Sequence, residues 1–269
     1  MAQCLYPITI GQKDGPKKWK VVPCGKCIAC RRRRQAAWSF RLLHEMQHSS
    51  SAAFLTLTYD DQNLPWADEH PSLCKRDFQL FMKRLRKKHA KESTQKLVYY
   101  ACGEYGSQTY RPHYHAIMFN LLPHFMLDEP LAEIWDNGHV RVDDCNIKTI
   151  QYVTKYVMKS IPKTKAHEFH KELEFSLMSK GIGKSFLTKN MVKYYKENEI
   201  PYLVWKDGQK ITMPRYFKEK IYDEETLRRF GREALREITP QNLDTTKQHE
   251  IYLENLKLKR LNDEKRSKV

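Results

Sequence analysis

The sequence predicts an α+β fold: an antiparallel four- or five-stranded sheet with flanking helices and a mixed, helix-rich C-terminal extension. Three observations lead there. Between residues 52 and 160, short runs of β-branched and aromatic residues alternate with longer runs of helical period, in the order βαββαβ plus a helix. Hydrophobic residues make up 41% of the 269, and aromatics 12%, enough for a packed core. No run of 18 apolar residues exists, so no membrane span is expected.

The elements follow in order. Residues 1–50 open turn-rich and become helical from Ile28, where Ala36, Phe40, Leu43 and Met46 recur at three- or four-residue spacing. Ala52 to Tyr59 (AAFLTLTY) is a strand, and DDQNLP after it is a loop of turn residues. Residues 75–90 form a helix with the apolar stripe Phe78, Phe81, Met82 and Leu85. Strands are expected at about 97–104 (LVYYACGE) and 113–120 (HYHAIMFN), then a short helix at 127–136 and a strand near 139–143. A helix over 146–160 ends at Pro162. In the ferredoxin-like arrangement of such a chain, two helices cover one face and strands one and three lie in the middle. The third strand carries His113 and His115. Beyond 162 the pattern thins. Residues 202–217 read as a hairpin turning at Asp207-Gly208, and 223–265 as a helix rich in Glu, Lys, Arg and Leu. A boundary at 162 separates residues 1–162 from an accessory region, 163–269.

Charge narrows the function. Lys and Arg number 48 against 32 Asp and Glu, a formal +16. That field favours polyanions, and it is clustered. Residues 17–34 hold Lys17, Lys18, Lys20, Lys26 and four consecutive arginines with no acid. Arg31, Arg32, Arg33, Arg34, Lys83, Arg84 and Lys87 are therefore candidate DNA contacts. Arg111, beside the histidines, and Lys159, late in the helix, join them. Solvated charge faces are the plainer reading. Trp38 and Tyr110 are candidates for stacking on unpaired bases, although such rings more often belong to a core. The first residues, MAQCLYPITIGQKDG, lack the basic start and apolar run of a signal peptide, which predicts a protein used in a cytosol.

His113 and His115 are two apart in a strand, so both imidazoles face one side and can take one cation. The rival reading is two polar residues on a half-solvated strand. The AIMF that follows marks a buried strand, where bare imidazoles are costly. Glu104 ends the preceding strand, and the hairpin would set it beside them as third ligand; its rival role is an exposed turn carboxylate. Imidazoles alone point to zinc or another transition metal. On the helix 146–160, Ile150, Val153, Val157 and Ile161 share one side, while Tyr152, Lys155, Tyr156 and Lys159 share the other. A phenol of pKa ~10 is a weak nucleophile at neutral pH, and a cation and a lysine would favour the phenolate. Two tyrosines allow two successive transesterifications. An ordinary amphipathic helix explains the lysines better than the paired tyrosines.

Cys24, Cys27 and Cys30 form C-x-x-C-x-x-C, compatible with structural Zn2+ bound by thiolates, with Cys4 as a fourth ligand. The missing second C-x-x-C pair favours metal-free thiols in a tight turn. Cys74, Cys102 and Cys145 read as structural. Gly183-Lys184-Ser185 lacks the glycine a P-loop needs at Met178, which excludes nucleotide hydrolysis as its base function.

Three segments carry a family resemblance. FLTLTYDDQNLP resembles the first motif of HUH endonucleases, RPHYHAIMF their histidine motif, and YVTKYVMK their tyrosine motif in its two-tyrosine form. They occur in the family's order, within roughly residues 20–160. The chain is most similar to rolling-circle replication initiation proteins of Microviridae, in their gokushovirus branch, and CGKCIACRRRR looks like that branch too. The resemblance implies a ferredoxin/RRM-like endonuclease core over 1–162. It implies metal ligands His113, His115 and Glu104, nucleophiles Tyr152 and Tyr156, and an assisting Lys155. It implies Mg2+ or Mn2+ rather than the transition metal that imidazoles suggest. The activity implied is nicking and rejoining of single-stranded DNA at a phage origin through a 5′-phosphotyrosine, driving rolling-circle replication. The implied partners are origin DNA and a host helicase and polymerase in the cytoplasm of a bacterium. Two rivals stand beside it. One is a plasmid relaxase or transposase of the same superfamily. The other is a non-catalytic zinc-containing nucleic-acid-binding protein, which leaves the two-tyrosine helix unexplained.

Overall fold

The structure is a computed structural model that describes residues 4–11, 19–106, 108–155, 170–205 and 208–236. In chain order, a hairpin of β1 (Ile8–Gly11) and β2 (Trp19–Val22) precedes the long helix α1 (Ile28–Gln47). Strand β3 (Ala52–Thr58), a small hairpin of β4 (Trp66–Ala67) and β5 (His70–Pro71), and helix α2 (Lys75–His89) follow. Then come β6 (Val98–Tyr105), β7 (Pro112–Phe119), α3 (Asp128–Trp135), β8 (Val140–Asp144) and α4 (Ile147–Lys155). The later elements are β9 (Phe175–Met178), α5 (Lys189–Asn198), β10 (Tyr202–Val204), β11 (Lys210–Thr212), α6 (Arg215–Ile221) and α7 (Glu224–Arg236). Two compact units result: Gln35–Met191, and the described parts of Met1–Arg34 with Val192–Val269.

The Gln35–Met191 unit is built on a five-stranded antiparallel sheet of order β8-β3-β7-β6-β9. The β3-α2-β6-β7-α3-β8 run therefore has its first and third strands in the middle, as the βαββαβ pattern predicts. The fifth strand, β9, was not foreseen. It lies after residue 162 and pairs with β6 from Tyr100↔Met178 to Gly103↔Phe175. Four half-buried residues at an edge carry too short an alternation to stand out in the sequence.

Alternation along the strands divides the sheet into two faces. Ala53, Leu55 and Leu57 of β3 and Tyr114, Ala116 and Met118 of β7 face one side. There they meet Phe78, Phe81, Met82 and Leu85 of α2 and Leu131, Ile134 and Trp135 of α3. Each such side chain contributes roughly 1.5–3 kcal/mol when fully buried. Helix α2 buries the stripe its period predicts, and Arg86, Lys87 and Lys88 fall in its last turn, where positive charge offsets the helix dipole. On the other face, Phe54, Tyr100, Cys102, Ile117 and Phe119 pack under Leu42 of α1 and Ile150 and Val153 of α4. Helix α1 buries Leu42 instead of the expected Leu43-centred stripe, because Phe186 covers its flank and packs edge-on against Phe40 at 5.3 Å.

In the second unit, the expected hairpin forms from β10 and β11, with Gly208 in a left-handed conformation at its turn. It is shorter than the sequence suggests: Arg215 to Phe217 belong to α6, which buries Phe217 and Ile221. The hairpin β1–β2 lies in the segment read only as turn-rich. Of the helix expected over 223–265, Glu224–Arg236 is helical, and 237–265 lies outside the described residues.

Candidate active site

The β6–β7 register sets Glu104 directly opposite His113, while His115 pairs with Cys102 on one side and Thr56 on the other. Residues 104, 113 and 115 thus share the sheet face that α1 and α4 cover. Glu104 Oε1 lies 2.7 Å from His113 Nε2 and 3.1 Å from His115 Nε2. The carboxylate is an interior group, 3% exposed, not a turn residue in solvent. A lone buried carboxylate is expensive, so two convergent nitrogens mark a place for positive charge.

The far sides of both rings are held. His113 Nδ1 is 3.2 Å from the Arg111 carbonyl, which can only accept, so Nδ1 carries the proton. That leaves the Nε2 lone pair of the neutral ring pointing at the cluster. His115 Nδ1 meets Thr56 Oγ1 at 3.1 Å. Metal-binding histidines are commonly oriented through the second nitrogen in this way. The ligand atoms of the three residues lie within 4.8 Å of one another, and the donor set of two imidazoles and one carboxylate fits a divalent cation.

From the opposite face, Tyr114 anchors the strand between the two histidines. Its hydroxyl donates to the Cys74 carbonyl at 2.8 Å, accepts from the Cys74 amide at 3.0 Å, and lies 2.7 Å from the Tyr59 hydroxyl. Tyr59 in turn donates to Asp77 at 2.8 Å. Burial, and then the Tyr114 contact, push the Tyr59 phenol far above its usual range, so it stays protonated. No part of this network was foreseen; the alternation of HYHAIMF between the faces is its only sequence signal.

Helix α4 starts at a reciprocal cap. Asn146 Oδ1 accepts from the amides of Lys148 (2.8 Å) and Thr149 (3.1 Å), and Thr149 Oγ1 accepts from the Asn146 amide at 2.8 Å. Ile150, Val153 and Thr154 are buried, and Thr154 bonds Ser39 of α1 at 3.0 Å. This sets the helix roll. Tyr152 is 43% exposed, yet its ring stands edge-on to His115 with centroids 5.2 Å apart and to Phe54 at 6.2 Å. Phe54 also stacks on His115 at 5.3 Å. Phe54 and Thr56 are site residues that sequence reasoning missed, although both fall on the non-core alternation of FLTLTY. Lys155 is exposed at the end of the described helix, and Tyr156 and Lys159 lie outside the described residues.

The basic candidates separate. Arg111 is committed to structure: its guanidinium donates to the Tyr59 carbonyl at 2.8 Å and pairs with Asp61 at 2.7 Å. Lys83, Arg84 and Lys87 are exposed on α2, which covers the sheet face opposite the histidines, and Arg84 donates to the Trp135 carbonyl at the end of α3. Trp38 packs on Tyr100 at 5.0 Å and is a core ring, whereas Tyr110 is 65% exposed. In the other unit, Arg32 and Arg34 are exposed, and Arg33 donates to Cys30 Sγ at 3.1 Å. Cys4, Cys24, Cys27 and Cys30 come together there, their sulfurs within 4.8 Å of one another. Among the described residues, no helix is long and apolar enough to cross a membrane.

A family model described as replication-associated protein ORF2 matches residues 52–161, a span that runs from β3 through α4 and so contains the cluster and Tyr152. The replication-associated protein VP4 of Bdellovibrio phage phiMH2K is 30% identical over 216 residues, 73% of this chain and 66% of that protein. The chain belongs to the replication-associated proteins of small phages. ORF2 of Spiroplasma virus 4 is 28% identical over 216 residues, 74% of this chain and 67% of the relative. ORF4 of Chlamydia phage 1 is 25% identical over 221 residues, 74% of this chain and 53% of the relative. The aligned part of the chain thus spans about two thirds of the first two replication-associated proteins and about half of the third. No solved structure matches it.

Proposed function

We propose that this chain is a rolling-circle replication initiator that nicks and rejoins single-stranded DNA at a phage origin. The observation that carries the reading is the Tyr152 ring set 5.2 Å from His115, on the sheet face that holds the Glu104–His113–His115 cluster. The Tyr152 oxygen attacks the scissile phosphorus and its proton passes to solvent. The bond from phosphorus to the 3′ oxygen breaks, and that oxygen takes up a proton. The chain is left joined to the 5′ phosphate, beside a free 3′ hydroxyl. Attack by a 3′ hydroxyl on the phosphotyrosine reverses the step and joins a strand. Tyr156 is the second nucleophile, and Lys155 supplies positive charge beside the phosphate.

Glu104, His113 and His115 would hold Mg2+ or Mn2+, which when bound polarises phosphate oxygens and lowers the charge cost of attack. The chain's own contribution is placement: Thr56 and the Arg111 carbonyl aim the imidazoles, and Ser39 with Thr154 fixes the roll of α4. Exposed arginines at the start of α1 neutralise phosphates in this reading. The free 3′ hydroxyl primes a host polymerase working with a host helicase in the bacterial cytoplasm.

The test is a covalent adduct. The full chain is incubated with an origin-containing single strand and Mg2+ or Mn2+, then resolved under denaturing conditions. An adduct is expected, and Tyr152→Phe combined with Tyr156→Phe abolishes it. Absence of an adduct with either ion overturns the proposal.

A further inference from the structure

The strand-transfer reading makes no use of the four sulfurs gathered at the N-terminal end of the chain. We propose that Cys4, Cys24, Cys27 and Cys30 form a structural zinc site that ties the N-terminal segment to the arginine-rich start of α1.

The geometry comes first. Four Sγ atoms lie within 4.8 Å of one another, and those of Cys4 and Cys27 are 3.9 Å apart. A tetrahedral zinc with Zn–S of about 2.3 Å places its sulfurs about 3.8 Å apart. A disulfide would need about 2.05 Å, and all four cysteines are free. Three of the four are buried, so the sulfurs face one another and not solvent.

The surroundings suit thiolates. The amide of Cys24 donates to Cys4 Sγ at 3.2 Å, and the amides of Lys26 and Cys27 donate to Cys24 Sγ at 3.4 and 3.3 Å. Gly25 makes this turn possible: its φ of +71° is a conformation that side chains disfavour. Zinc with four thiolates carries a net charge of −2. The Arg33 guanidinium, 3.1 Å from Cys30 Sγ, offsets part of it. Loading exchanges four thiol protons, released to solvent, for four Zn–S bonds; no electron moves. The all-sulfur set selects a soft or borderline ion and rejects Mg2+, so it is chemically distinct from the imidazole–carboxylate cluster. The sequence spacing favours metal-free thiols because no second C-x-x-C follows. The fold supplies the fourth sulfur from upstream instead, through the β1–β2 hairpin between Cys4 and Cys24.

Elemental analysis of the full chain, expressed with zinc present and dialysed, is expected to find about one zinc per chain. Replacement by Co2+ is expected to give sulfur-to-metal charge-transfer absorption and the intense visible bands of a tetrahedral thiolate site. Cys27→Ser and Cys30→Ser lose most of the metal; Cys74→Ser and His113→Ala keep it. Arg33→Ala weakens zinc binding about 10–100-fold. The native chain's own zinc content and cobalt spectrum stand even if a cysteine variant misfolds. Less than about 0.2 zinc per chain, iron in its place, or a cobalt spectrum without thiolate bands overturns the proposal. So does full, equally tight zinc binding by Cys4→Ser. None of these outcomes depends on whether the chain nicks DNA.

Discussion

The two faces of the sheet share the same strands and do opposite work. On the α2–α3 face, β7 presents Tyr114, Ala116 and Met118 to a closed apolar core. On the α1–α4 face it presents Ile117 and Phe119 at one end and His115 and His113 at the other. The first face lowers the energy of the folded chain. The second gives up part of that gain to hold a buried carboxylate against two imidazoles. One face can be traded for stability and the other cannot, which is the usual relation between a functional site and its scaffold.

Four substitutions sharpen that contrast. Phe81→Ala, in the closed core and wholly buried, is expected to cost about 3–5 kcal/mol in denaturant unfolding. Adduct formation per folded molecule should be unchanged; loss of activity in the folded fraction would deny that the faces are separable. Glu104→Gln should do the reverse. Adduct formation falls about 100-fold (about 2.7 kcal/mol), while stability holds or rises because an unneutralised buried charge is gone. A loss of several kcal/mol in its unfolding would make Glu104 a structural residue. Tyr114→Phe removes a hydroxyl that serves Tyr59 and both backbone groups of Cys74, and should cost about 1–3 kcal/mol. A modest drop in adduct rate should accompany it, since the strand between the histidines loses its anchor. The smallest effect is expected from Lys83→Ala with Lys87→Ala on α2. Nicking of a short oligonucleotide should change by less than about twofold; a drop beyond tenfold would mean that DNA reaches the α2 face.

Strong periodicity made the central fold legible. AAFLTLTY, the α2 stripe and HYHAIMF each carry several apolar residues at one spacing, and each element begins and ends within a residue or two of its expected place. The H-x-H pair and the preceding glutamate were legible because strand alternation and a hairpin require them to meet. What escaped was built from few residues or from distant ones. Strand β9 has four residues, and β1–β2 pairs segments separated by a turn-rich stretch. Phe54 and Thr56 look like ordinary β-formers until the β3–β7 register sets Thr56 against His115. The basic run on α2 was legible as charge but not as position, because composition does not say which side of a sheet a helix covers. Tyr156 and Lys159 lie outside the described residues, so the second half of the two-tyrosine helix stands as an expectation.

The division of labour along β7 also governs which heritable changes the chain can absorb. Replacing one residue of Pro112–Phe119 alters one face. Deleting one reverses the parity of every residue beyond it, and a deletion ahead of Tyr114 would drive the tyrosine toward the imidazole side and a histidine into the apolar layer. The turn at 106–111, which closes through Gly106 and Arg111 main-chain bonds, has no such parity to keep. Diversification of length in this lineage should therefore collect in the turn and spare the strand, where the reading frame of the pleat is itself under selection.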